Sequence, residues 1–320
     1  MGRGPCCLAV VGKSLFVGTH RDGHLVQIDP STNRVVWTQS IPTEAIDVGS
    51  FVPYGDALWI VYKGAVSGGI ARLDPRTHRQ VKVSGLKDPN HPLAAVDPSG
   101  LVVLNGSLWV GESEDNLIHR IDPRTARVIG KIAVRTVAIT QLAAAAGGSL
   151  WLTQTNAAQS GLYRVDPATG RVIAHLQPFS PSASVQSVVV AGKALWVSVT
   201  RASVLPGRPT LFRIDTRTNR VTARLDPPVT GNTDTFPALT TAGNGTLWLQ
   251  TAPNALRKID PTTGAPSNKL AIPLPGKRPL GDYYPSQIAV GFGSDWVTIW
   301  PGQQGVTDPA VGSLLRITPD

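Results

Sequence analysis

The stretch SLWVGESEDNLIHRIDPRTARVIGKIAV, from Ser107 to Val134, holds three short β-prone runs: LWV, LIHRI and RVIGKIAV. The last two alternate on either side of the turn signal DPRTA. Copies of the stretch recur along the whole chain. The aromatic of each "LW" falls at Phe16, Trp59, Trp109, Trp151, Trp196, Trp248 and Trp296, spaced 43, 50, 42, 45, 52 and 48 residues apart. In register with it, an Ile/Leu/Val-Asp-Pro turn recurs at Asp29, Asp74, Asp122, Asp166, Asp215 (with Thr216 in place of Pro) and Asp260, and Thr318-Pro319 marks the last copy. A period in the forties carrying four short strands is that of a β-propeller blade, a unit that buries its apolar face only against its neighbours. The chain is therefore expected to be all-β, a seven-bladed β-propeller of four-stranded antiparallel blades with a three-stranded last blade.

Each repeat reads as inner strand a, a tight turn (VGKS, AGGS, AGKA, AGNG), the Trp-bearing strand b, strand c, the Asp-Pro turn, and outer strand d. In that turn Asp accepts from backbone amides ahead of it, Pro presets φ, and a later Asn or Gly tolerates φ > 0. The tryptophans are expected to fill the space between blades. No linker or low-complexity stretch divides residues 1–320, so one domain is expected. The first repeat begins at strand a with CCLAVV and the last ends at strand c with SLLRITPD, which leaves strand c of the last repeat as an open edge. A natural chain extended upstream of Met1 would supply the missing strand, and would place the protein outside the cytoplasm if the extension carried a signal.

The chain has 32 Gly and 27 Pro, in keeping with many short strands joined by turns. No apolar run is long enough to span a membrane, and MGRGPCCLAV has no adequate apolar core for a signal peptide. The net charge of +9 raises the question of nucleic acid. Yet Arg72, Arg120, Arg164, Arg213, Lys258 and Arg316 all occupy one repeat position, just before the apolar residue of the Asp-Pro turn. Charges fixed by the repeat are expected to be structural, with stems packed on rings and heads solvated. No nucleic-acid motif accompanies them, and no nucleic-acid partner is expected. Cys6 and Cys7 are adjacent, cannot staple distant strands and lack metal-ligand spacing, so they read as small apolar residues of the first inner strand.

The a–b and c–d turns are short, whereas the b–c and d–a connections are long and irregular, and in an up-and-down blade the two long classes emerge on one face. Variable loops on a rigid scaffold are where binding usually sits. On that face Arg278, Asp282 and Tyr283 form the most ligand-like loop: Tyr offers an apolar body with a polar tip, and Arg grips carboxylates. Gln141, Gln186 and Gln287 open inner strands and line the channel mouth. His20, Asp22 and His24 share one b–c loop, and Glu112, Glu114 and Asp115 another. Such a mixed cluster is where a divalent cation would sit, at the channel mouth, although solvated loop charge accounts for it more simply; no other cofactor is expected. His91 and His119 are isolated, and His119 falls at the strand-c position of Tyr163 and Phe212, where packing explains it. No Ser-His-Asp order, nucleophile elbow, phosphate-binding loop or CxxC is present.

The motif LWV…(I/L/V)-(H/Y/F)-R-(I/V)-D-P-x-T-x-R-V resembles that of the YVTN/YncE-like propeller family over essentially the whole chain. The resemblance implies a propeller used for binding or sensing, attached to other domains or exported in many members. The chain is similar, more loosely, to virginiamycin B lyase, which implies a Mg²⁺-dependent enzyme with His and Glu in late blades. Here no histidine follows His175 and no glutamate follows Glu114, so the late blades cannot supply that pair. Gluconolactonase-like propellers hold a cation with Glu, Asn and Asp, and no matching motif is found. The leading expectation is a non-catalytic, monomeric propeller whose long-loop face engages a protein or a small polar ligand. The alternative is a metal-assisted lyase or hydrolase acting at the channel mouth.

Overall fold

The computed structural model describes residues 4–19, 22–41, 45–64, 68–87, 96–113, 116–134, 141–154, 161–179, 183–201, 210–227, 239–241, 245–252, 255–267, 270–272, 283–301 and 313–317. Four strand classes repeat. The inner strands are β1 (Pro5–Val11), β5 (Ala45–Tyr54), β9 (Pro98–Leu104), β13 (Gln141–Ala146), β17 (Ala183–Ala191), β21 (Leu239–Thr241) and β25 (Tyr283–Gly291). The Trp-bearing strands are β2 (Ser14–Thr19), β6 (Ala57–Gly64), β10 (Ser107–Glu112), β14 (Ser149–Gln154), β18 (Ala194–Arg201), β22 (Leu247–Ala252) and β26 (Ser294–Pro301). The third strands are β3 (His24–Asp29), β7 (Gly69–Leu73), β11 (Leu117–Asp122), β15 (Gly161–Val165), β19 (Thr210–Asp215), β23 (Ala255–Ile259) and β27 (Ser313–Ile317). The outer strands are β4 (Arg34–Ser40), β8 (Gln80–Lys82), β12 (Arg127–Ala133), β16 (Val172–Leu176), β20 (Arg220–Leu225) and β24 (Leu270–Ala271).

Consecutive strands pair antiparallel within each sheet. Six sheets are four-stranded blades, and the sheet of β25, β26 and β27 has three strands. The expectation of seven blades is thereby corrected to six of the four-stranded form. The physical reason is the supply of outer strands: only six are found among the described residues, so the last sheet does not reach the four-stranded form. The inner strands follow one another around a ring, β1 beside β5 and so on to β25, which returns to β1.

The seams between sheets follow from one residue. Each ring of the "LW" series is buried and packs into the sheet that follows it. Trp59 lies among Leu101, Leu108 and Ile121; Trp151 among Leu195, Val197 and Ile214; Trp248 among Ile288, Val297 and Ile299. Trp296 lies among Leu15, Val17 and Ile28 of the first blade, which closes the ring without a covalent link. The strand pattern explains the direction. Side chains alternate across a strand, so the Trp and the Leu before it cover opposite sheet faces and meet different neighbours.

The Asp-Pro turns behave as their residues dictate. In each of the six, the Asp carboxylate accepts from the amide two residues ahead (Ser31, Arg76, Arg124, Ala168, Arg217 and Thr262), at 2.7–3.0 Å. The residue four beyond the Asp has positive φ every time: Asn33, His78, Ala126, Gly170, Asn219 and Gly264. Gly170 is required twice over, because a Cβ there would also strike Ile132. These hydrogen bonds hold the carboxyls of Asp29, Asp74, Asp122, Asp166, Asp215 and Asp260 below the usual range. The Trp position is tested by Trp151→Ala, which should lower the unfolding free energy by about 3–5 kcal/mol in urea titration. The turns give a second expectation. A carboxyl with a lowered folded pKa contributes stability that is complete above about pH 4 and is lost as pH falls through the folded value. The urea midpoint should therefore fall steeply below about pH 4, and replacing several of the six aspartates with Asn should flatten that slope.

Candidate functional site

The two faces of the ring differ in what covers them. One face carries the Asp-Pro turns, whose polar groups are spent on the turns themselves and on the seams. Arg72 Nη1 donates to Arg124 O of the next blade at 3.0 Å, Arg164 Nη1 to Asn219 Oδ1 at 2.9 Å, Arg213 Nε to Pro261 O at 3.2 Å, and Arg316 Nη1 to Pro30 O at 2.9 Å. Four of the cations also lie over the ring of the paired Trp, 4.8–5.6 Å from its centre: Arg120, Arg164, Lys258 and Arg316. The cations at the shared repeat position thus sit at the seams.

The opposite face receives the ends of the Trp-bearing strands and the long connections. The strand ends are unusually polar for buried positions: Thr19, Glu112, Thr153, Gln154, Ser198, Thr200, Gln250, Thr251 and Thr298 are all buried. Several are tied to the inner strands. Gln186 Nε2 donates to Thr200 Oγ1 at 3.0 Å, the Gln287 amide donates to Thr298 Oγ1 at 3.0 Å, and Glu112 Oε1 accepts from the Asp97 amide at 2.8 Å. Asp97 also takes Ser113 Oγ at 2.9 Å and Lys63 Nζ at 3.3 Å.

The described sequence candidates scatter over this face. Gln141 opens β13 and is exposed, paired in register with Thr153. Gln186 and Gln287 are half-buried and serve as struts; Gln287 Oε1 accepts from the Leu8 amide at 3.0 Å across the seam to the first blade. Tyr283 opens β25, while Arg278 and Asp282 lie outside the described residues. His20, His91, Glu114 and Asp115 also lie outside them. Asp22 and His24 do come together, Asp22 Oδ1 lying 3.5 Å from His24 Nδ1 and accepting from Thr19 Oγ1. Among the described residues no group of three His, Cys, Asp or Glu side chains is placed to hold a metal ion. His119 is buried in β11, at the strand-c position shared with Tyr163 and Phe212.

Sequence reasoning missed a recess on the long-loop face, at the outer end of the seam between the blades of β13–β16 and β17–β20. Its volume is about 180 Å³, its lining includes Phe179, Ala183, Val199 and Phe212, and its rim carries Gln177, Thr210 and Arg224. The two phenylalanine rings are tilted at 54° with centres 6.0 Å apart. Asp226 accepts from Thr210 Oγ1 at 2.7 Å and pairs with Arg224 at 3.4 Å, so both rim side chains are anchored through one carboxylate. Phe179 belongs to a d–a connection with no repeat landmark, and only the aromatic in QPFSPS could have flagged it. A larger shallow groove of about 650 Å³ runs over the turn at Asp260 on the opposite face.

Ring, seams and grafted loops define a propeller built from quasi-identical repeats. The chain belongs to the family described as outer membrane protein assembly factor BamB, which it matches over residues 1–221. No match is found among curated proteins. Among solved structures, the chain is similar to hydrazine synthase from Kuenenia stuttgartiensis, with TM-score 0.71 and 14% identity over 99% of this chain and 96% of that one. Virginiamycin B lyase from Staphylococcus aureus gives TM-score 0.67 and 17% identity, covering 93% and 92%, and a streptogramin B lyase 0.66 and 18%, covering 92% and 90%. At such identities the likeness is one of fold.

Proposed function

We propose that the protein is a non-catalytic binding propeller whose long-loop face engages a protein partner, as the assembly-factor name of its family suggests. The recess of Phe179 and Phe212 carries this reading. At about 180 Å³ it falls short of the roughly 300–1,000 Å³ that enclose a small-molecule ligand. It suits a single large side chain instead. An aromatic floor with an Arg at the rim is the composition of an interface anchor point, where one inserted side chain contributes much of the affinity. The YVTN-like repeat motif supports the same use of the fold, since it specifies a scaffold and leaves the loops to vary. The candidates Arg278, Asp282 and Tyr283 would extend the contact along the same face.

Virginiamycin B lyase and streptogramin B lyase share the fold, which keeps a metal-assisted lyase or hydrolase as the second reading. It would need a cation held through Asp22 and His24 with His20, and the described pair is closed upon itself through Thr19.

The test is site-specific photo-crosslinking in cells, with a photoreactive amino acid at Thr210 or, on the other face, at Arg124. A discrete protein adduct should form from Thr210 and not from Arg124. Arg224→Glu should reduce the Thr210 adduct at least ~10-fold while leaving the unfolding midpoint unchanged. An adduct from Arg124 alone, or a Thr210 adduct indifferent to Arg224→Glu, would overturn the assignment of the face.

A further inference from the structure

On a regular strand, adjacent side chains point to opposite faces, so neighbouring cysteines diverge. Cys6 and Cys7 do not. The register of β1 against β2 runs from Pro5 opposite Thr19 to Cys7 opposite Gly18, which makes Cys6 the extra residue of a β-bulge. A bulge re-aims the side chain it carries, and here the two sulfur atoms come within 2.9 Å of each other. The bulge is not an accident of this strand. Gly49 of β5 and Gln186 of β17 are skipped in the same way, each three residues before the partner of the Trp, as Cys6 is three before Ala9, the partner of Phe16. The same bulge thus recurs in the inner strands β1, β5 and β17, and only β1 fills it with two thiols.

We propose that Cys6 and Cys7 form a reversible redox site that closes to a vicinal disulfide by exchange with a small-molecule disulfide. The surroundings discriminate between this and a metal. A disulfide needs only these two sulfurs, brought to about 2.05 Å. A tetrahedral zinc needs four ligands, and among the described residues no group of three His, Cys, Asp or Glu side chains is placed to hold a metal ion. Cys7 is buried and Cys6 half-buried, which sets the order of events. The Cys6 thiolate attacks the small disulfide, forms a mixed disulfide and releases one thiol. The Cys7 thiolate then attacks the Cys6 sulfur, expels the second thiol and completes the Cys6–Cys7 bond. Two protein thiols are oxidised and one disulfide is reduced to two thiols, so hydrogens and electrons balance. Bridging neighbours whose Cα atoms are about 3.8 Å apart, below the usual range of about 4.4–6.8 Å, strains the bond. Strained disulfides have more oxidising potentials and are the labile ones, so this one is readily reversed. It faces the seam with the second blade, where Val48 O is 3.2 Å from Cys6 Sγ and 3.5 Å from Cys7 Sγ, and the next residue, Leu8, donates its amide to Gln287 of the last blade.

The experiment treats the native full chain with oxidised glutathione, blocks remaining thiols with N-ethylmaleimide, and reads the intact mass. The chain has two cysteines, so the assignment is unambiguous. The expected product is lighter than the reduced chain by about 2 Da, carries no maleimide, and returns to the reduced mass with dithiothreitol. In Cys7→Ser the glutathione adduct should persist on Cys6, because the resolving thiol is gone. A persistent glutathione adduct on the unmodified sequence, a disulfide-linked dimer, or two maleimides on an unreacted chain would each overturn the proposal.

Discussion

The ring depends on a single contact repeated around it: an aromatic ring of one blade pressed into the sheet of the next and topped by the residue paired with it across the sheet. Trp59 pairs with Arg72, Trp109 with Arg120, Trp151 with Arg164, Trp196 with Arg213, Trp248 with Lys258 and Trp296 with Arg316. The Trp supplies apolar area, which in a dense interior is worth most when no void remains beside it. The cation covers the outer part of the seam and, where it reaches the following turn, ties that turn down. Stability in such an array is a sum over neighbouring units, so every seam must be competent by itself.

Two seams depart from the pattern, and each departs in a compensated way. In the first blade the ring is Phe16, and the residue paired with it is Gln27 rather than a cation. A phenyl ring is a poorer partner for a cation than an indole, and the reach to the next blade is made differently. Gln27 Oε1 meets His78 Nε2 at 2.6 Å, and His78 stacks on Trp37 at 4.1 Å. In the sixth seam Lys258 replaces Arg, and Asp295 stands where all the other repeats have Leu. Asp295 is buried, and Lys258 Nζ lies 3.2 Å from its carboxylate. A buried carboxylate without a partner is costly, so the two substitutions make sense only together.

What the sequence made legible was whatever the repeat prints in every copy. Asp followed by Pro, with Thr216 the one substitute, identifies a turn because the chemistry of each residue is local, even where His78 and Ala126 stand in for Asn or Gly four residues on. The Trp could be assigned to the seams because nothing else in a short-strand blade accommodates an indole. The destination of the cations was not legible. Arg72 finds its acceptor at Arg124 and Arg213 finds its own at Pro261, one blade away in space and about a whole repeat away in sequence. The inner-strand bulges were equally silent, since Cys6, Gly49 and Gln186 share a position but no residue type. The count of seven blades failed for a simpler reason: the aromatic and the turn mark every repeat, and the outer strand carries neither landmark.

The same physics separates scaffold from function. On the Asp-Pro face the turn aspartates and the seam cations already have structural partners, so a substitution of these perturbs a turn or a seam before it perturbs anything bound. On the other face the connections leave the sheets after the last seam contact, and their residues are not fixed by the repeat. Phe179 shows the consequence. It lies in a connection, contributes nothing to the repeat pattern, and yet packs against Phe212 of a regular strand. A loop residue seated on a strand residue borrows the rigidity of the sheet, and that is what turns a variable connection into a defined recess. Binding on such a ring is therefore expected to lie where loops touch strands, rather than at the loop tips or over the turns.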